Sequence, residues 1–273
     1  MAQAAITPSA AVLPRVNPVL PALTLCWREI VRFYRQPARV VGVIISPLLF
    51  WVVIGAGFGT SLQTHSTGQE NFLNYFFPGA LVMIVLFTSI FTMMSVIEDR
   101  NEGFLLSVLV APVHRSSIVL GKVLGGTALS AVQGLLFLVF APFIGIRFGV
   151  EQFLIIALVV FLSAFALTAL GFAIAWRMES AQGFHAIVNL LLIPLWLLSG
   201  ALFPVSGASG WIRWVMEINP LTYGLDALQI VLFPATHPAT ILSLWSSIGV
   251  LAIFSALVFI AGFVIVSRRR TKV

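Results

Sequence analysis

The sequence predicts an all-α integral membrane protein. Six transmembrane helices are expected, with an N-terminal interfacial amphipathic helix before them and short outer re-entrant helices between spans five and six. Three observations carry this. Of the 273 residues, 60% are hydrophobic and only 9% charged, with a mean hydropathy of +1.07, too little charge to cover a water-soluble surface. The apolar residues gather into six runs, each able to cross roughly 30 Å of hydrocarbon as a helix. The basic residues, within a net charge of +6, collect on one side of a six-span arrangement, which suits a membrane better than a nucleic-acid partner.

Residues 1–21 contain Pro8, Pro14 and Pro18 and no apolar stretch behind a basic start. They read as a disordered cytoplasmic tail rather than a cleaved signal, leaving 22–273 as one membrane domain. From Leu23 to Gln36 the residues have a helical period, with Arg28, Arg32, Arg35 and Arg39 inside an arc of roughly 60°. Leu23, Cys26, Ile30, Phe33 and Tyr34 lie opposite. This predicts a helix in the inner interface with its arginines towards lipid phosphates. It serves either as a simple anchor or also as the border of a docking groove.

The spans follow at about 40–62, 76–97, 116–146, 153–176, 184–203 and 241–266. An even number puts both termini on one side. With cytoplasmic termini, the inside collects Arg15, the four arginines above, Arg100, Arg115, Lys122, Arg177, Arg268, Arg269, Arg270 and Lys272, and the outside keeps Arg147 and Arg213. Pro47, Pro142 and Pro194 fall in or near apolar runs, where membrane helices tolerate them. Gly55, Gly57 and Gly59, like Gly121, Gly125 and Gly126, offer small faces for helix packing first and a dimer seam second.

The span centres hold no Asp, Glu, Lys, Arg or His. Glu98 and His185 are near cytoplasmic ends, and Lys122 is expected to snorkel to the inner surface. Ser163, Thr168 and Ser199 are expected to bond to backbone. Ion-driven carriers and intramembrane hydrolases need polar groups at mid-depth, so the driving energy is expected to come from elsewhere. The chain has no Gly-x-x-x-x-Gly-Lys-Ser/Thr phosphate loop and no His-Glu-x-x-His. Its single cysteine, Cys26, gives neither an internal disulfide nor a thiolate cluster. No metal site, cofactor or catalytic residue is predicted.

Between spans two and three, Glu98, Asp99, Arg100 and Glu102 lead through Gly103 into the apolar run Phe104 to Val110, closed by Pro112 and followed by Arg115. A short helix with a charged start and an apolar face suits a groove on a soluble partner, with Leu105 and Leu109 as docking residues. This loop resembles that of type 2 ABC-transporter permeases, in which an acidic-Arg lead, Glu-Gly, an apolar stretch and Pro-Val follow the second span. A second match is LLIPLWLLSGALFPV (191–205), followed by Asn219-Pro220-Leu221-Thr222-Tyr223 and Gln229. With the six-span layout, the resemblance covers nearly all of the chain after residue 20. Within that family the chain resembles the daunorubicin-resistance and nodulation-factor exporter permeases. One departure is Phe104-Leu105-Leu106 where many relatives have Thr-Leu-Glu, so a second acidic contact is missing there.

The resemblance implies two permease copies, or this chain with a related permease, above two ABC-type ATPase subunits that bind ATP and Mg. ATP-driven closure would push on residues 98–115 and on the amphipathic helix. It also implies an outer gate of short helices carrying Pro220, Leu221, Tyr223, Asp226 and Gln229. Trp211 and Trp214 read as interface-belt residues, and Arg213 and Glu217 are spaced for a helical pair. The expected function is export of an amphipathic or lipid-like substrate, such as a drug or a lipid-linked glycan, across the cell membrane. The alternatives are a membrane scaffold without transport and a membrane-embedded enzyme.

Overall fold

The structure is a computed structural model that describes residues 18–62, 72–111, 113–234 and 241–268. Its helices are α1 (Val19–Tyr34), α2 (Pro37–Leu62), α3 (Phe72–Asn101), α4 (Phe104–Val110), α5 (Arg115–Phe137), α6 (Val150–Ala175), α7 (Ala181–Trp196), α8 (Gly210–Ile218), α9 (Pro220–Leu232) and α10 (Leu244–Arg268), with no strand among the described residues. A 3-10 turn, Leu138–Ile144, extends α5, and a π-type turn, Leu197–Ala201, extends α7. Six of these helices, α2, α3, α5, α6, α7 and α10, are long and apolar enough to cross a bilayer. The chain is an all-helical membrane protein of six candidate spans, as its composition demands.

Helix starts follow local chemistry. The Ser180 side chain accepts from the Gly183 amide and caps α7. Asn219 accepts from the Leu221 amide, with Pro220 preset in the first turn of α9. The residues expected to stay disordered up to 21 differ: residues 1–17 lie outside the described part, but α1 is already helical from Val19. The second span is longer than its apolar run, because Glu98, Asp99 and Arg100 continue α3 by a full turn.

α3 occupies the centre of the bundle and is enclosed nearly all round, whereas α2 and α10 turn most of their surface outward. Close approach is possible where side chains are small. A Cβ on Gly134 of α5 would lie 2.7 Å from Val85 of α3, and one on Gly171 of α6 would lie 2.9 Å from Ile90. Trp51 of α2 packs edge-on to Phe77 and Phe137. α9 is buried against α6 and α10, with Asp226 and Gln229 inside.

At one end of the bundle the described chain begins and finishes side by side. Ser117 donates to the Pro18 carbonyl at 2.7 Å, and Arg115 donates to those of Val266 and Ser267 at 3.2 and 3.4 Å. Six spans therefore bring both ends of the described residues to the start of α5. At the other end α7 breaks: Gly200 has φ +95, a conformation glycine adopts freely. Tyr75 donates to the Gly200 carbonyl at 2.8 Å, and the Asn219 amide donates to Leu195 and Leu198. The break is fastened by its neighbours rather than left open to lipid.

Candidate functional site: the charged end

The site is assembled by one helix crossing. α1 passes over Gly121 and Gly125 of α5, where an added Cβ would meet the Ala22 carbonyl at 2.7 Å and the Glu29 Cβ at 2.8 Å. These glycines pack within the chain; the neighbouring Gly126 faces Thr168 and Met93 instead. The approach carries Glu29, only 2% exposed, over Lys122. Lys122 does not snorkel: at 1% exposure it is enclosed between α1, α3 and α5. Its three donors are all used, on Glu29 Oε1 at 2.5 Å, on Ser95 Oγ at 3.1 Å and on Asp99 Oδ2. Ser95 donates in turn to Glu29 Oε2 at 2.5 Å.

Glu29, Asp99 and Lys122 alone would leave one uncompensated negative charge. The arginines of α1 supply the balance, and so do not face lipid phosphates as their arc suggested. Arg28 forks onto both oxygens of Asp99 at 2.8 and 2.7 Å. Arg32 reaches Asp99, Glu98 at 2.9 Å and Glu102 at 3.3 Å. The hydrogen bond to Asp99 holds the Arg28 guanidinium above its already high pKa, against the opposing effect of burial. Arg35 is exposed, and the Arg39 side chain lies outside the described residues. The reversal has a simple cause. Four nearby acids (Glu29 within α1, Glu98 and Asp99 in the last turn of α3, and Glu102 just beyond it) offer paired, charge-assisted bonds. On the face opposite the arginines, Leu23 and Tyr34 are exposed and Phe33 is buried; Ala22 and Leu25 are buried as well.

The predicted docking segment divides in two. Arg100 turns inward and donates to the carbonyls of Trp176 and Met178 at 2.6 and 2.7 Å, closing the C-terminal end of α6. Arg115 does the same for α10. A cation on the last carbonyls of a helix satisfies orphan acceptors and complements its dipole. Between them the chain turns at Gly103, with φ +77, into α4. Leu105, expected to be a docking contact, is 4% exposed and packs in the core; Leu109 is half-buried. Leu106 at 65% and Val110 at 82% exposure form the outward face. The Phe104 ring lies 3.7 Å below the Arg28 guanidinium, linking α4 to the charge cluster. Pro112 lies outside the described residues.

The residues expected to form an outer gate also come together, at the opposite end. Pro220 opens α9, and Leu221 is buried. Tyr223 donates to the Glu217 carbonyl at 2.5 Å, closing the turn from α8. Asp226 accepts from the Ile241 amide at 2.8 Å and pins the approach to α10. Arg213 and Glu217 pair at 2.9 Å as their spacing predicts. Of the hydroxyls expected to bond to backbone, Ser199 donates to the Trp196 carbonyl, while Ser163 and Thr168 are buried with no hydrogen-bond partner among the described residues.

The sequence reading does not single out Glu29 or Ser95, and it places Lys122 at the inner surface rather than in a buried pair. The signal was present: a lone acid in an arginine-rich helix and a lone lysine in an apolar span each need a partner, and each is the other's. Among the described residues, no group of His, Cys, Asp and Glu is arranged to hold a metal.

Residues 22–233 match the ABC-2 type transporter family. The chain belongs to that family and is the permease component of such a transporter. It is 29% identical to the putative transport permease ycf38 of Cyanophora paradoxa, across 84% of this chain and 78% of that one. It is 24% identical to the daunorubicin resistance ABC transporter permease protein DrrB1 of Streptomyces coeruleorubidus, over 89% and 86% of the two chains. Nodulation protein J of Neorhizobium galegae is 21% identical over 91% of each.

Proposed function

We propose that this chain forms the membrane pathway of an exporter powered by separate ATPase subunits, working with a second permease copy or a related permease. The single observation that carries the reading is the outward apolar face of α4. Leu106 and Val110 are bare on a seven-residue helix that is otherwise bolted to the bundle. Two exposed aliphatic side chains there suit a hydrophobic groove on a soluble partner. A push on α4 reaches Arg28 through Phe104, and Arg28 holds Asp99. Arg100 and Arg115 carry the same displacement to the ends of α6 and α10.

The end bearing Lys122, Arg100 and Arg115 is then cytoplasmic, in agreement with the excess of basic residues there. Substrates are amphipathic or lipid-like, such as a drug or a lipid-linked molecule, and move outward; the daunorubicin resistance permease among the relatives favours a drug. ATP shifts the inward-to-outward equilibrium because the ATPases grip α4 differently in their two states. Native mass measurement of the tagged chain purified from its membrane tests this. Two permeases with two ATP-hydrolysing subunits are expected, and recovery of the permease without any such subunit would contradict the reading.

A further inference from the structure

Asp226 is the single acid of α9, buried at 5% exposure with no cation bonded to it among the described residues. Its carboxylate instead accepts from the backbone amides of Ile241, at 2.8 Å, and Leu242, which lead into α10. One turn on in α9, Gln229 bonds to the Tyr75 hydroxyl, and Tyr75 holds the Gly200 carbonyl at the break in α7. α9 is thus tied on one side to a bend centred on a glycine and on the other to the entry of a span. Only the second tie carries an acid. The described groups around it do not compete for its proton. The titratable side chains that feel its charge are the phenols of Tyr75 on α3 and Tyr223 on α9 itself, both neutral near pH 6. α10 has no titratable side chain before Arg268 at its far end, and the turn Leu197–Ala201 has none. α6 has only Glu151, exposed in its first turn, and Arg213 and Glu217 of α8 pair with each other. An ionised carboxyl in such a place lacks solvation, and regains it only if α9 parts from α10 and admits water.

We propose that Asp226 is a proton-operated latch: protonated, it keeps α9 closed on α10, and loss of its proton to the external solution favours the opening through which substrate leaves. The inference rests on the export reading above and adds a control on its outer end. The proton passes from the carboxyl to external water, and no other group need change its charge. A carboxyl at about 6 when buried, against 3.8 in water, sets the size of the effect. A group whose closed-state value is raised stabilises the closed state fully below about pH 4 and loses that contribution as pH rises through 6. With these two values the open-to-closed ratio rises roughly tenfold between about pH 5 and about pH 7.

The test is the reaction of α9 with an impermeant maleimide in right-side-out vesicles holding the full complex, on a Cys26→Ser background. Val231→Cys, buried on α9, reacts only from the open state. Its rate is divided by that of Trp211→Cys, exposed on α8, which removes the pH dependence of thiol chemistry itself. This ratio is expected to rise roughly tenfold from about pH 5 to about pH 7. Asp226→Asn keeps an oxygen for the two amides but cannot ionise, so it should hold the ratio low and flat. Leu225→Cys is a second buried reporter on the same helix should the first variant fail to fold. A flat ratio with Asp226 in place would mean that the carboxyl only caps the approach to α10. An equal rise in the Asp226→Asn variant would assign the titration to another group. Either result overturns the latch. Neither depends on an ATPase, so recovery of the permease without ATP-hydrolysing subunits would sink the export reading separately.

Discussion

Lys122 shows how much one buried charge can organise. Its ammonium holds two carboxylates and a hydroxyl in a pocket with almost no solvent. Removing one partner of such a group leaves the others buried and unpaired, typically at about 3–5 kcal/mol. Lys122→Met is therefore expected to lower the thermal midpoint of the detergent-solubilised protein sharply. Pairing it with Glu29→Gln should recover part of the loss, because the double variant buries one fewer unpaired charge. Asp226 offers a second test. Burial pushes its carboxyl from 3.8 up to about 6, although the backbone amides of Ile241 and Leu242 pull the other way. A raised folded-state value means that its contribution to stability is complete below about pH 4 and is lost as pH rises through 6. The protein should thus melt higher at pH 5 than at pH 7, and Asp226→Asn should flatten that difference.

At the scale of the element, α1 and α4 decide the behaviour. α1 depends on the bare backbone of Gly121 and Gly125; Gly125→Leu is expected to lift it off α5 and break the Glu29–Lys122 contact. Enhanced proteolysis of α1, with the spans left intact, would report this. On α4, Leu105→Asp should destabilise the fold because that side chain is buried, whereas Leu106→Asp should leave the melting temperature unchanged. Circular dichroism melts of the two variants separate them. The pattern of apolar residues in 104–110 made a short helix legible but not its outward face. Seven residues make two turns, and only the direction in which Gly103 releases the chain selects Leu106 and Val110 over Leu105 and Leu109. The arginine arc of α1 was equally legible as an arc. Its direction was not, because the acids that attract it come 66 to 71 residues later.

Across the whole molecule, the spans were legible because hydropathy and the length needed to cross a bilayer leave few alternatives. The fastening of the charged end was not, since it depends on which helix ends become neighbours. Charge pairs and helix caps there join α1, α3, α5, α6 and α10 through Asp99, Lys122, Arg100 and Arg115. A displacement applied at α4 is therefore shared by most of the bundle. α7, broken at Gly200, receives none of these named charge pairs or caps. α4 is therefore expected to drive the tied bundle as one body while α7 moves relative to it.

The most direct measurement is the amount of ATP-hydrolysing subunit retained per folded permease after purification, compared between the native chain and Leu106→Asp. Removing one buried leucine contact and burying a carboxylate in its place should reduce retention by roughly tenfold or more, with the permease still folded. Equal retention by the two proteins would mean that α4 is not where the ATPase takes hold.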